Sequence, residues 1–142
     1  MNAFLCADII PVTIKAERHL RYEAEIRVAF RQYWPHQTIL TGRLYGVVYY
    51  FHKVPTQIDA DNLSKPVFDA LKNELYKDDR SVEVVRSGNF DLGAFGTDEL
   101  DLTRVPDNVV SDFLQALDHS DHILYIEIGS LDFGMFEFGC ES

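Results

Sequence analysis

The amino-acid sequence predicts an α+β fold, a single domain in which a mixed β-sheet is packed with helices. Segments of strand character alternate with segments of helical periodicity along the 142 residues, and this order is typical of a sheet covered by helices. The length fits one domain. A hydrophobic content of 46%, with 13% aromatic residues, is sufficient for a buried core and excludes a chain that is disordered by composition.

Four segments are expected to form strands. Residues 43–52 (RLYGVVYYFH) are rich in β-branched and aromatic residues, as is typical of a buried strand. Residues 5–14 contain Pro11, which favours an edge position or a bulge. Residues 80–86 and 122–131 complete the predicted sheet.

Three segments are expected to form helices, at residues 17–33, 62–76 and 107–118. In the first, apolar residues recur at helical spacing and form one stripe: Tyr22, Ile26, Ala29, Phe30 and Tyr33. Pro66 is tolerated only near the first turn of a helix, so the second helix should begin close to Asp61.

Charge is unevenly distributed along the chain. Residues 1–90 carry 12 Lys and Arg against 11 Asp and Glu, whereas residues 91–142 carry 1 basic residue against 12 acidic ones. A protein with a net charge of −10 does not attract nucleic acid through its overall field. Any DNA binding must therefore depend on a local basic patch or on a bound cation.

The sequence contains no segment that predicts membrane association. It has no apolar run long enough to span a bilayer, and its first residues lack the features of a signal peptide. The chain is therefore expected to be cytoplasmic, with Cys6 and Cys140 as free thiols.

The segment from Asp59 to Asp79 (DADNLSKPVFDALKNELYKDD) is dense in carboxylates. Asp59 and Asp61 flank one residue, and Asp78 and Asp79 close the segment. Carboxylates held close together repel one another, so a site that gathers several usually binds a cation as well. Oxygen ligands without a nearby His or Cys favour Mg²⁺ or Mn²⁺ over zinc. The segment therefore predicts a divalent metal site, with Lys65 one helical turn after Asp61.

A purely structural explanation stays open for some of these residues. Asp61 or Ser64 can cap the second helix, and Lys65 and Asp69 can form a surface pair worth a few tenths of a kcal/mol, about the strength of an exposed ion pair. Neither role requires Asp59, a second carboxylate two positions before Asp61.

A magnesium site of this kind is suited to phosphoryl transfer. The cation neutralises charge that develops on the phosphate and lowers the pKa of a bound water molecule. Lys65 is placed to stabilise the transition state, and Asn62 is placed to orient a carboxylate or a water molecule.

The same segment resembles the signature of the RusA family of Holliday junction resolvases. The resemblance rests on Asp59-x-Asp61-Asn62-Leu63, Asp69-Ala70-Leu71, Asp78-Asp79 and Val82, with Lys65 in its usual place. The matching positions are dense over residues 57–86. The resemblance implies a RusA-like fold and a protein encoded by a bacterium or a phage. It also implies a homodimeric, Mg²⁺-dependent crossover junction endodeoxyribonuclease that nicks four-way DNA junctions in symmetric pairs, in DNA recombination and repair.

Carried over residue by residue, the resemblance assigns roles within the segment. Asp59, Asp61 and Asp79 match the metal-binding, catalytic carboxylates of the family. Lys65 matches its catalytic lysine, and Asn62 and Asp78 are taken as supporting residues.

The chain departs from that family in its charge and in an insertion. Family members are commonly basic, whereas this chain carries −10. The domain spans residues 1–142 with an acidic insertion at about 87–121, which comprises a glycine-containing loop and the third helix. The insertion lies away from the DNA, covers the DNA-binding face as a gate, or binds a basic protein, and the sequence does not separate these three explanations.

DNA contacts are expected from basic residues outside the acidic third: Arg18, Arg21, Lys53, Lys72, Arg80 and Arg86. The alternative function is that of a non-catalytic RusA-like regulatory or binding protein, whose acidic third mimics nucleic acid or docks onto a basic protein. The charge favours this alternative. The carboxylates disfavour it, because a pure binding module has no use for acids that repel one another.

Overall fold

The computed structural model describes residues 2–12, 16–35, 38–94, 100–136 and 138–139. Four strands form one mixed sheet: β1 (Ala3–Ala7), β2 (Leu44–His52), β3 (Val82–Asp91) and β4 (His122–Ser130). The strand order is β1-β4-β2-β3. β4 runs antiparallel to both β1 and β2, whereas β2 and β3 are parallel. This is the mixed sheet that the sequence predicts.

Three α-helices cover the two faces of the sheet. They are α1 (His19–Tyr33), α2 (Ser64–Leu71) and α3 (Asp107–His119). The helices α1 and α2 pack on one face, and α3 packs on the other. None of the helices in the described part of the chain is long and apolar enough to cross a bilayer.

The alternation of side chains along β2 divides the core into two layers. Leu44, Val48 and Tyr50 point towards α1 and α2, whereas Val47 and Phe51 point towards α3. Side chains of a strand point to opposite faces in turn. The continuous apolar run in β2 is therefore explained by burial on both faces.

The first strand and the second helix are shorter than the sequence predicts. β1 ends at Ala7, before Pro11, and residues 13–14 of the predicted strand lie outside the described residues. The predicted helix 62–76 ends at Leu71, because Asn73 adopts a left-handed φ of 71° and its N–H donates to Tyr76 O at 2.7 Å. Asn tolerates this conformation better than most residues do.

The third strand is longer than predicted. Residues 87–91 continue β3 and pair with β2 up to Asp91, although Gly88 and Asn89 favour a loop. The segment between β3 and β4, predicted to be an insertion from about residue 87, therefore begins only after Asp91, and residues 95–99 within it lie outside the described residues.

Cys6 lies in the core as a free thiol. Burial, with a smaller contribution from Asp112, raises the pKa of its thiol to about 12, so it is not a reactive nucleophile at neutral pH. The prediction for Cys140 concerns a residue outside the described part of the chain.

Close packing of α2 on the sheet depends on Gly46. A Cβ added at Gly46 would lie 2.6 Å from Cε1 of Phe68, well inside van der Waals contact. Gly46→Ala should therefore lower the free energy of unfolding by about 1–3 kcal/mol, as overpacking does elsewhere, measured by urea denaturation. In a Phe68→Leu background the same substitution should cost clearly less, and an equal cost in both backgrounds would contradict this packing.

Candidate active site

The predicted site lies on the crossover that connects β2 to β3. After His52 the chain passes through residues 53–58 to a 3₁₀ turn, Ala60–Asn62, and from there directly into α2. Asp59 is the N-cap of this turn, and its carbonyl accepts a hydrogen bond from the Asn62 N–H at 3.0 Å. The turn packs against β3.

The Asp59 and Asp61 side chains face solvent, as does Asn62. Asp59 makes no side-chain capping bond to the 3₁₀ turn, and α2 has Leu63 as its N-cap, also without a side-chain hydrogen bond. Capping by Asp61 or Ser64, the structural explanation left open above, is therefore wrong. Two exposed carboxylates remain without a role in ending or starting a helix.

Lys65 lies in the first turn of α2, on the exposed surface. Its Nζ is 3.5 Å from Oδ2 of Asp69, with 67% and 37% of the two side chains exposed, so the predicted surface pair is present. Exposed pairs of this kind are worth about 0–1 kcal/mol. The ammonium group is therefore available to another anion at little cost.

Asp78 and Asp79 have different local roles. Asp78 caps the 3₁₀ turn Asp79–Ser81 and accepts a hydrogen bond from the Arg80 backbone N–H at 2.9 Å. That bond, with help from the Arg80 side chain, lowers the pKa of the Asp78 carboxyl below its ordinary 3.8. The Asp79 carboxylate is exposed and lies 3.1 Å from Nζ of Lys72.

The two acidic pairs lie near opposite ends of β3. Asp59 follows Ile58, whose carbonyl accepts a hydrogen bond from Nδ2 of Asn89 near the end of β3 at 2.6 Å. Asp79 instead precedes Val82, the first residue of β3. The strand between Val82 and Asn89 spans roughly 23 Å at about 3.3 Å per residue.

This separation bears on the predicted metal centre. The described residues include Asp59, Asp61, Asp78 and Asp79. Among the described residues, no group of three or more His, Cys, Asp or Glu side chains is placed to hold a metal ion. Asp59, Asp61 and Asp79 of one chain therefore do not form a preformed three-carboxylate centre. Their assignment as metal ligands stays a prediction.

Most of the basic residues expected to contact DNA have partners within the chain. Arg21 pairs with Glu25 at 3.3 Å, Lys72 with Asp79, and Arg80 with Asp78. Arg18 is exposed at the start of α1. The ion pairs are largely exposed, so a phosphate can replace the carboxylate at small cost.

Two of the basic residues expected to contact DNA bind instead to the C-terminal part of the chain. Nζ of Lys53 donates to the carbonyl of Leu117 in the last turn of α3, and its backbone N–H donates to Asp121 O at 3.0 Å. Arg86 lies over the ring of Phe136 at 4.9 Å, on the α3 side of the sheet. Arg86 and the two site aspartates are therefore on different sides of the molecule.

A cavity of about 560 Å³ lies between the sheet, α3 and residues 100–105 and 132–136. Both Tyr45 and Tyr125 donate their hydroxyl protons to the Glu127 carboxylate at its edge, the second at 2.6 Å. Burial, together with these hydrogen bonds to Glu127, raises the pKa of both tyrosines. None of the predicted site carboxylates lines this cavity.

Sequence reasoning missed the residues that hold the site loop. Nδ1 of His52 lies 2.7 Å from Val54 O, and Nε2 lies 2.6 Å from Oδ1 of Asn89. Asn89 in turn holds Ile58. No local signal relates His52 to Asn89, because the two meet only through the parallel pairing of β2 and β3.

Comparison with known proteins bears on the same stretch. The family model described as endodeoxyribonuclease RusA matches residues 11–92, which is more than half of the 142 residues. The match includes the whole crossover from β2 to β3 and ends just after Asp91, where the chain leaves the sheet. No curated protein matches the chain.

The bond from Lys53 to α3 leads to a prediction about stability. A cation at the carboxyl end of a helix typically stabilises it by about 0.3–1 kcal/mol. Lys53→Met should therefore lower the free energy of unfolding by about 0.5 kcal/mol in urea denaturation at low salt. Lys53→Arg is the matched control and should retain most of the wild-type free energy of unfolding. Equal losses of that free energy in the two variants would argue against a role of the charge.

Proposed function

Because the chain belongs to the RusA family of endodeoxyribonucleases, we propose that it is an Mg²⁺-dependent enzyme that resolves four-way DNA junctions by paired symmetric nicks. The family is one of Holliday junction resolvases, so endodeoxyribonuclease activity on branched DNA follows from membership.

One observation carries the assignment of the site. Asp59 and Asp61 are both exposed at the 3₁₀ turn that leads into α2, and neither makes a side-chain capping hydrogen bond there. Exposed acids without a structural role, just before the helix that carries Lys65, are suited to a cation and a phosphate that arrive from solvent. The family match spans all three residues.

The chemistry of these side chains fits Mg²⁺ or Mn²⁺. Both cations prefer oxygen ligands, and Mg²⁺ is usually bound through one or two carboxylates together with substrate phosphates rather than in a closed protein cage. Asp59 and Asp61 would supply the carboxylates. Asp79 of the same chain lies beyond the far end of β3, so it would reach Asp59 and Asp61 only if its turn moved. In a homodimer, Asp79 of the second copy would take this place instead.

The chain's own residues then have separate tasks. Lys65 exchanges its weak pair with Asp69 for the scissile phosphate and stabilises negative charge there. Asn62 orients the neighbouring carboxylates, and Asp78 keeps the 3₁₀ turn of Asp79 in place. When bound, Mg²⁺ supplies Lewis-acid chemistry by polarising the phosphate and a water molecule.

A homodimer explains why cuts should come in pairs. A four-way junction is close to two-fold symmetric, and two copies of the site related by a two-fold axis can reach equivalent phosphates on it. DNA contacts would come from exposed cations on the α1 and α2 side of the sheet. These are Arg18, Arg21, Lys72 and Arg80.

The first test is substitution of a proposed metal ligand. Asp61→Asn should reduce cleavage of a labelled four-way junction in Mg²⁺ by about 10³-fold or more, as loss of a main electrostatic contribution does. Thermal unfolding should be unchanged, because the Asp61 carboxylate makes no capping bond. Asp118→Asn, which removes an equal charge from the exposed surface of α3, is the matched control and should cleave normally.

The outcomes of this test separate enzyme from binding protein. Paired nicks by the wild type that vanish in Asp61→Asn would support the proposal. A folded wild-type protein that nicks the junction in neither Mg²⁺ nor Mn²⁺ would overturn it.

Salt dependence tests whether DNA binding is electrostatic despite the acidic C-terminal third. A protein that neutralises only two phosphates should lose roughly tenfold in affinity between about 50 and 200 mM salt. We expect at least this loss for the Asp61→Asn variant on an intact junction, measured by fluorescence anisotropy in Ca²⁺. No binding at the lowest salt would argue against a junction-binding surface.

A further inference from the structure

The cavity between the sheet and α3 is not used by the function proposed above. Its volume of about 560 Å³ lies within the range of small-molecule sites, roughly 300–1,000 Å³. Its far wall includes α3, which follows the stretch that the family match covers. The cavity therefore needs an explanation separate from that of the candidate active site.

Glu127 is the carboxylate that the sheet contributes to the cavity wall. Its Oε2 accepts a hydrogen bond from the Tyr45 hydroxyl, and its Oε1 accepts one from the Tyr125 hydroxyl at 2.6 Å. Both tyrosines are buried, and burial raises the pKa of both hydroxyls, so they stay protonated donors. The carboxylate is therefore held in one orientation before any ligand arrives.

Glu127 has no cationic partner in the described part of the chain, where none of the ion pairs includes it. Arg86 also lines the cavity, but its guanidinium lies over the Phe136 ring at 4.9 Å and donates to the Met135 carbonyl at 3.4 Å. A carboxylate beside an apolar space is normally paired with a cation. Acidic side chains also outnumber basic ones around the cavity: Asp101, Glu127 and Asp132 against Arg86 and Arg104.

The aromatic walls of the cavity favour a cation as well. The faces of aromatic rings carry negative partial charge and attract ammonium and guanidinium groups within about 6 Å. Two of the rings, those of Tyr49 and Tyr125, are stacked with their centroids 6.1 Å apart. The rings that line the cavity include those of Phe4, Tyr49, Phe51, Phe113 and Tyr125. Such walls also bury the apolar part of a ligand.

We propose that this cavity binds a small organic cation, an amine or guanidine with an apolar body, whose charged group pairs with Glu127. The sheet bounds the cavity on one side, and α3 with residues 100–105 and 132–136 bounds it on the other. This space suits a small molecule rather than a folded protein partner. The proposal does not rest on the nuclease function.

Three probes of similar size test the selection for positive charge. At neutral pH phenethylamine is a cation, phenethyl alcohol is neutral and hydrocinnamate is an anion. Each probe is titrated into the ¹⁵N-labelled full chain, and amide resonances of Val47, Phe113 and Tyr125 report binding in the cavity. Phenethylamine should shift these resonances and bind about tenfold more tightly than phenethyl alcohol, as expected for one hydrogen bond to a charged group. Hydrocinnamate should leave them unchanged.

Glu127→Gln removes the charge but keeps an oxygen that accepts from a tyrosine hydroxyl. It should weaken phenethylamine binding by about tenfold or more and abolish the preference over phenethyl alcohol. Glu83→Gln is the matched control, because Glu83 pairs with Arg43 and does not line the cavity, and it should bind as the wild type does. Val110→Phe narrows the cavity from α3 without a change of charge and should weaken binding even if Glu127→Gln does not fold.

Three results would overturn the cation site. One is a wild type that binds phenethyl alcohol as tightly as phenethylamine. Another is a folded Glu127→Gln protein that binds phenethylamine like the wild type. The third is a set of cavity resonances that stay unchanged in phenethylamine at about 10 mM, a concentration that reveals even a millimolar dissociation constant. Junction cleavage does not enter these measurements, so an inactive nuclease would leave their outcome intact.

Discussion

The parallel pairing of β2 with β3 is the constraint on which the rest of the structure depends. Parallel neighbours cannot be joined by a tight turn, so the chain must cross over the sheet between them. The crossover contains the 3₁₀ turn with Asp59 and Asp61, the helix with Lys65, and the 3₁₀ turn with Asp79. The crossover therefore carries the candidate site. It also sets the distance between Asp59 and Asp61 at one end of the crossover and Asp79 at the other.

This constraint explains how far the site was predictable from the sequence. The density of carboxylates between Asp59 and Asp79 drew attention to a segment that the family match spans, and the position of Pro66 placed the start of α2 within a few residues. Short separation along a chain does not imply proximity when the chain returns to the start of a neighbouring strand. The two acidic pairs therefore lie at opposite ends of β3, which a local pattern cannot reveal.

The fold was predictable to a greater extent than the site, for a physical reason. Burial on both faces gives β2 its continuous run of apolar residues, and burial on one face gives α1 and α3 their stripes, so hydrophobic patterns alone locate these elements. The errors fall where backbone conformation rather than burial decides, as at Asn73, or where pairing with β2 extends a strand through Gly88 and Asn89. The bonds made by His52 were invisible in the sequence, because they join residues brought together only by tertiary structure.

The hydrogen bond between Lys53 and α3 joins the acidic segment after Asp91 to the site loop. The helix α3 packs on the face of the sheet opposite α1 and α2 and contacts the site loop through its last turn, where Lys53 meets the Leu117 carbonyl. The described residues of α3 leave the Asp59 and Asp61 side chains exposed. The same helix also contacts α1, because the Asp112 carboxylate accepts a hydrogen bond from the Tyr33 hydroxyl. The negative net charge does not by itself exclude DNA binding, because screening limits the reach of a surface charge to about 10 Å at moderate ionic strength.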